Sequence, residues 1–241
     1  TLLGQNVNAY SYIENFKEYR ISNLINELEK YSELQRIRYT TSHPRDMSED
    51  LIECYSKSKK LMPLLHLPVQ SGSNKILKRM NRTYTREHFI ELSKIIREIL
   101  PNAGISTDII VGFPGETEYD FNKTIEVMEK VKFDSAFTFK YSTRRGTKAS
   151  EYDDHINEKV KQKRLEQVIA LQKSHTIHLN QNYIGRIENV LIEKESKRKD
   201  SKWAGRTESN KWVIFDKNQA NIRDIVKVLI TNSRDITLHG K

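Results

Sequence analysis

Only one cysteine, Cys54, occurs in the 241 residues, and that scarcity sets the first limits. A lone thiol excludes an internal disulfide framework and any cysteine-rich metal site built from this chain, and it fits a reducing compartment. No stretch approaches the roughly 20 apolar residues that cross a bilayer. The opening TLLGQNVNAY lacks the charged start and apolar run of a signal peptide. The expectation is a cytoplasmic protein with no membrane partner. Internal repeats, low-complexity tracts, paired carboxylates, histidines at metal spacing and a Ser-His-Asp arrangement are also missing. The residues therefore assign neither a metal ligand nor a catalytic group.

What the chain has is a nearly balanced body and a basic tail. Its apolar fraction, 37%, suffices for a core in one large domain, or in one large and one small. The net charge is +9, and from Tyr183 to Lys241 there are 13 Lys/Arg against 8 Asp/Glu. An excess of this sign favours a polyanionic partner, although many proteins without one are as basic.

Leu2-Leu3 before Gly4 reads as the end of a strand running into a loop, so the chain is expected to open partway through its architecture. Helical pattern then covers 21–31, 48–59, 86–100 and 116–131, and extended pattern covers 36–40, 64–69, 105–111 and 133–141. Ser48 and Thr85 stand where N-caps belong. Strand and helix alternating at this spacing indicate βα units around a parallel sheet, with five strand positions. A long polar helix over 156–182 reads as a connector. Beyond it, short alternating runs at 187–193, 203–208, 212–215, 225–230 and 236–238 predict a small antiparallel barrel. The expected domains are 1–182 and 183–241. Lys197-Arg198-Lys199 reads as a solvated hairpin tip.

In parallel βα architectures ligands meet the C-terminal ends of the strands. The segments there are polar: Gly4-Gln5-Asn6, Thr41-Ser42-His43-Pro44, Gln70-Ser71-Gly72-Ser73, Gly112 to Glu116, and Ser142 to Thr147. Gly112 to Glu116 is either a tight turn entering a helix or a backbone cradle for a planar or anionic ligand. Gln70, Ser71 and Ser73 offer amide and hydroxyl groups and Arg82 a guanidinium suited to a carboxylate; a helix cap with a surface arginine is the plain alternative. His66 alternates with Leu65 and Leu67 and reads as a packed histidine, His43 as a turn residue, and Cys54 as helix packing.

Taken in order, TLLGQNVNAY, TTSHP, HLPVQSGSNKILKRMNRTYTREHF, TDIIVGFPGETEYDF, FKYSTRRGTKA and WAGRTESNKWVIF resemble the radical S-adenosylmethionine (SAM) methylthiotransferase family, most closely its MiaB branch. The resemblance spans the whole chain. It implies an incomplete TIM-like parallel (β/α) barrel of the radical SAM type, drawn from six βα units. An OB-like antiparallel β-barrel, the RNA-gripping TRAM domain, would follow. The implied reaction is 2-methylthiolation of an isopentenyl-type adenosine at tRNA position 37. One SAM donates a methyl group, and a second is reductively cleaved to a radical that takes hydrogen from adenine C2. A 4Fe-4S cluster supplies the electron, and an auxiliary 4Fe-4S cluster handles the sulfur. The implied partners are a tRNA anticodon stem-loop, an electron donor protein and a sulfur source.

Carried over by position, Gly4, Gln5 and Asn6 would meet the SAM amino group, Gln70 and Asp108 the ribose hydroxyls, and Arg82 the SAM carboxylate. Ser71 belongs to the same loop, and Ile110, Gly112 and Phe113 would lie against adenine. Arg206, Lys211 and Trp212 are candidates for RNA contact, with Trp212 as barrel core the alternative. Two departures stand out. The family's cluster cysteines have no counterpart here, so this chain alone is expected to be inactive. Arg145 stands where the family carries proline, which implies a looser loop. The rival expectations are a stand-alone RNA-binding module, or a methylthiotransferase for another modified adenosine or a ribosomal protein.

Overall fold

The computed structural model describes residues 1–40, 42–196, 201–217 and 219–241. Thr41 and the Lys197-Arg198-Lys199 run, with its hairpin-tip reading, lie outside the described residues. The chain divides into two compact units, Thr1–Gln172 and Lys173–Lys241.

The first unit starts with an antiparallel hairpin of β1 (Ser11–Glu14) and β2 (Lys17–Arg20). Asn15 and Phe16 turn it with φ of 50° and 64°. Two-residue hairpin turns of this hand favour glycine, and its absence explains why the pattern does not announce the hairpin. Then come α1 (Ile21–Glu29), α2 (Glu49–Lys57), β3 (Leu64–His66), α3 (Asn74–Arg79), α4 (Arg86–Ile99), β4 (Gly104–Val111), α5 (Glu118–Val131), β5 (Ser135–Lys140) and α6 (Glu158–Gln181). Helix α6 begins in the first unit and ends in the second. Thr85 caps α4 through the His88 amide, whereas Ser48 occupies the N-cap position of α2 without a side-chain capping bond.

Strands β3, β4 and β5 pair in parallel in that order. Isolated parallel bridges Leu2↔Tyr39 and Ile37↔Leu61 continue the same direction through two further strand positions. One face of the sheet is closed by helices. Ile105, Ile109 and Val111 of β4 are wholly buried in a core shared with Leu65, Leu67, Phe89, Phe121 and Phe133. The alternation of the strand turns Asp108 and Ile110 to the other face, where both are half-buried.

In the second unit, β6 (Ile187–Glu195), β7 (Lys202–Arg206), β8 (Trp212–Asp216), β9 (Ile225–Arg234) and β10 (Thr237–Gly240) form a closed barrel in the order β10-β8-β7-β6-β9. Four of its pairings are antiparallel, and the β8–β10 pairing that completes the ring is parallel. Val190, Ile192, Trp203, Val213, Phe215, Val228, Ile230 and Leu238 fill it. Closure removes sheet edges that would otherwise invite pairing with other chains.

Candidate functional site

The loops at the C-terminal ends of the parallel strands are tied to one another. Asn8 Nδ2 donates to the His43 carbonyl and the His43 amide donates back to Asn8 Oδ1, at 3.0 and 2.8 Å. Asn6 Nδ2 donates to Asp46 Oδ2 at 2.6 Å. The Ser42 hydroxyl donates to the His66 carbonyl. Gln70 has φ of 63°, a left-handed conformation that costs a non-glycine residue roughly 1–2 kcal/mol. It is held there from both sides: its amide donates to the Asp108 carbonyl at 2.8 Å, and its carbonyl accepts from the Ile110 amide at 2.9 Å. Strain of this kind persists where surrounding structure over-determines it and clusters at ligand sites.

Further support comes from α5. Ser71, wholly buried, accepts from the Ser73 amide. Ser73 donates to Asp120 Oδ1 at 2.6 Å and accepts from the Ile76 amide, capping α3. Gly72 donates to Thr124 Oγ1, and a Cβ there would stand 2.2 Å from the Lys123 carbonyl oxygen, so only glycine fits. Asp120 also accepts from Thr117 and Lys75, and these hydrogen bonds, outweighing its burial, hold its pKa at about 2.

Around this frame several buried polar atoms make no hydrogen bond among the described residues: Asn6 Oδ1, Gln70 Oε1, Arg82 Nε and Tyr141 Oη. Buried polar groups are nearly always paired, so these four atoms are candidates for ligand contact. Asp108 accepts an ion-pair contact from His66 Nε2 at 3.5 Å, while His66 Nδ1 lies 3.0 Å from Ser106 Oγ. Tyr84 donates to the carbonyls of Pro68 and Val69 at 2.9 and 3.2 Å. Burial first, and the Asp108 charge with it, push the Tyr84 pKa up to about 12 against the opposing pull of Arg82. Arg82 and Asp108 therefore act on one hydroxyl. His43 is kept below its ordinary pKa by burial, then by Arg82 and Arg45, against the pull of Asp46, and its Nδ1 accepts from the Arg45 amide.

The loop after β4 is shaped from within. Gly112, at φ of 71°, donates its amide to Glu116 Oε2 at 2.7 Å, and the same oxygen accepts from Arg164 Nη1 of α6 at 2.7 Å. Burial raises the Glu116 pKa despite these partners. Phe113 is buried with its ring edge against Tyr141, centroids 5.0 Å apart, and Tyr152. Gly4 and Gln5 are exposed. In the loop after β5, Arg144 and Arg145 are exposed, and the Thr147 amide bonds the Arg144 carbonyl.

On the barrel, Val213 and Phe215 point inward and Trp212 outward. The Trp212 ring carries the Arg206 guanidinium 4.3 Å and the Lys194 ammonium 4.6 Å from its centroid. Lys211 is buried, its ammonium 5.4 Å from the Tyr183 ring centroid.

Comparison with known proteins accounts for both units. The family model described as the Radical SAM superfamily matches residues 1–128, more than half of the chain. The chain belongs to the radical SAM superfamily. The TRAM domain model matches residues 181–241. Relatives of this radical SAM chain include tRNA-2-methylthio-N(6)-dimethylallyladenosine synthases. That of Carboxydothermus hydrogenoformans is 48% identical over 100% of this chain and 54% of its own length. That of Desulforamulus reducens is 44% identical over 100% of this chain and 52% of its own. The chain thus spans about half the length of the curated relatives it matches. Among solved structures, coproporphyrinogen III oxidase of Escherichia coli, a radical SAM enzyme, shares the fold. Its TM-score is 0.53 at 16% identity, over 78% of this chain and 50% of the oxidase.

Of the residues singled out in the sequence, Asn6 and Gln70 lie in strand-end loops, Asp108 inside β4 and Arg82 between α3 and α4; Asn6, Gln70 and Arg82 have buried, unspent polar atoms. Ser71 turns inward as loop support. The sequence reading missed Tyr84, Tyr141 and Asp120. The Thr117-x-x-Asp120 capping box was a usable signal for the last. No group of three or more His, Cys, Asp or Glu able to hold a metal occurs among the described residues. Cys54 is buried on α2 with its thiol pKa raised by burial, and its sulfur lies 3.6 Å from Asn26 Oδ1. These residues do not fit an iron-sulfur cluster, which takes several thiolates. The unpaired carboxamide oxygens of Asn6 and Gln70 and the Arg82 Nε do fit the ammonium, hydroxyl and carboxylate groups of SAM.

Proposed function

We propose that this chain is the SAM-holding and RNA-facing part of a tRNA methylthiotransferase acting on dimethylallyl-bearing adenosine. The observation that carries the reading is similarity to the synthases across the entire chain, through both units. The unspent polar atoms around Gln70 support it.

SAM, when bound, supplies a methyl group and the precursor of a hydrogen-abstracting radical. The residues of this chain bind and orient it. In this reading the Gln70 amide and the Asp108 carboxylate take the ribose hydroxyls, Arg82 the carboxylate, and the Gly4-Gln5-Asn6 loop the amino group. Ile110, Gly112 and Phe113 wall the adenine, and Ser71 braces the loop. The 4Fe-4S clusters, the electron donor and the sulfur source are assigned to the full-length protein outside this chain. On the barrel, Arg206 and Trp212 take phosphate and base, with Lys211 adding its charge from beneath; the domain boundary is placed at 182/183. The full-length protein is assigned to the cytoplasm, where the proposed tRNA substrate is modified.

The test uses the full-length protein, reconstituted anaerobically, with tRNA bearing dimethylallyladenosine. Mass spectrometry of the digested RNA is expected to show a methylthio adduct. Arg82→Ala is expected to suppress SAM cleavage while leaving tRNA affinity intact. Absence of the adduct overturns the reading, and unchanged cleavage removes Arg82 from the site.

A further inference from the structure

Strand β5 carries two large aromatic side chains that its own unit leaves bare. Ala136 packs against the helix-covered core, so the alternation of the strand turns Phe137 and Phe139 to the opposite face. There they are 59% and 50% exposed. Neighbouring aromatics left this open on a sheet face call for an apolar occupant.

The register identifies what stands beside them. Phe137 pairs with Asp108 and Phe139 with Ile110, so the two rings lie one strand over from candidate site residues and on the same face. Phe137 also meets His66 edge-on, with centroids 5.9 Å apart and planes at 74°. This face is therefore graded. In the proposed function Asp108 and Ile110 on β4 hold SAM; beside them His66 and Ser106 present nitrogen and hydroxyl, and Phe137 and Phe139 on β5 present carbon to which no part of SAM is assigned.

A prenylated adenosine has the same grading: polar ring and sugar, then a branched five-carbon tail with no hydrogen-bonding atom. We propose that Phe137 and Phe139 form the apolar wall that receives the dimethylallyl group of the substrate and so set the preference for prenylated over plain adenosine. The inference rests on the proposed function and deepens it by naming residues that read the tail. Each methylene removed from water contributes about 0.8 kcal/mol, so exposing roughly half of the tail weakens binding on the order of 10-fold.

The experiment measures affinity of the full-length protein for two anticodon stem-loop RNAs, identical except for dimethylallyladenosine or adenosine at the target position. The wild type is expected to prefer the prenylated RNA. Phe137→Ala/Phe139→Ala is expected to lose about 10-fold of that preference, with affinity for the plain RNA unchanged. Phe137→Leu/Phe139→Leu, which keeps an apolar wall, is expected to retain most of it. A folded alanine variant with full preference overturns the wall and leaves the proposed function standing. A wild type that binds both RNAs equally overturns the proposed substrate and the wall together. Should the alanine pair fail to fold, the single variants Phe137→Ala and Phe139→Ala decide: a loss of a few-fold in preference supports the wall, and no loss in either overturns it.

Discussion

The parallel sheet and the small barrel present their candidate ligand groups differently. In the first unit, Gln70 and Arg82 keep buried atoms unpaired on a frame fixed by Asp120, Tyr84 and the Glu116–Arg164 pair. On the barrel, Arg206 and Lys194 sit over an outward Trp212, while the hydroxyls of Tyr183, Thr207 and Ser209 bond one another. The first arrangement suits a small polar ligand met by directed hydrogen bonds, and the second suits an extended polyanion met at a surface. Stability of the frame and salt sensitivity of the surface should therefore separate on mutation.

The largest expected effect is in the frame. Arg164→Met leaves the Glu116 carboxylate, whose side chain has no exposure, without its partner. Breaking such a buried pair costs about 3–5 kcal/mol. Both tryptophans lie in the barrel, so their fluorescence follows the second unit while helical circular dichroism follows mainly the first. The urea midpoint by circular dichroism is expected to fall sharply, and an unchanged midpoint breaks the comparison. Trp212→Ala, on the outer surface, is expected to cost only about 1 kcal/mol.

Acid gives the next effect. The folded pKa of Asp120, about 2, lies below its ordinary 3.8. Stability from this group is therefore present above about pH 4 and lost as pH falls toward 2, amounting to about 2 kcal/mol. Asp120→Asn is expected to remove that dependence from urea titrations. A variant as acid-sensitive as the wild type would show that Ser73 and Thr117 do not rely on the carboxylate.

The order of the parallel strands and the longer helices was legible because hydrophobic period is a local property, whereas the β1–β2 hairpin and the short α3 were not read. Gln70 was legible as a polar residue beyond a strand, and Arg82 as a guanidinium twelve residues after it, whereas Asp108, inside β4, was raised only by the family resemblance. The supporting contacts were not legible. Gly72 is demanded by the backbone of Lys123, the amide of Gly112 is held by a glutamate anchored on Arg164, and Asn8 clasps the loop of His43. Each partner lies tens of residues away in the chain or depends on a contact that does, and no local pattern encodes the meeting. Phe137 and Phe139 show the same limit: alternation places them on one face, but only the sheet register sets them beside Asp108 and Ile110.

The smallest effect tests the barrel surface most directly. If Lys194 and Arg206 meet phosphate, each contact releases about one counterion, and the logarithm of tRNA affinity falls linearly with the logarithm of salt. Lys194→Gln is then expected to reduce that slope by about 1. Trp212→Ala is expected to weaken binding about 10-fold at every salt concentration, because base stacking releases no counterion. SAM carries a net charge of only about +1 and displaces no condensed counterions, so its affinity for the strand-end site is expected to vary little over the same salt range. Fluorescence anisotropy with a labelled anticodon stem-loop reads the RNA effects and calorimetry reads SAM. A Lys194→Gln slope equal to the wild type would show that this lysine serves the Trp212 ring rather than the RNA backbone.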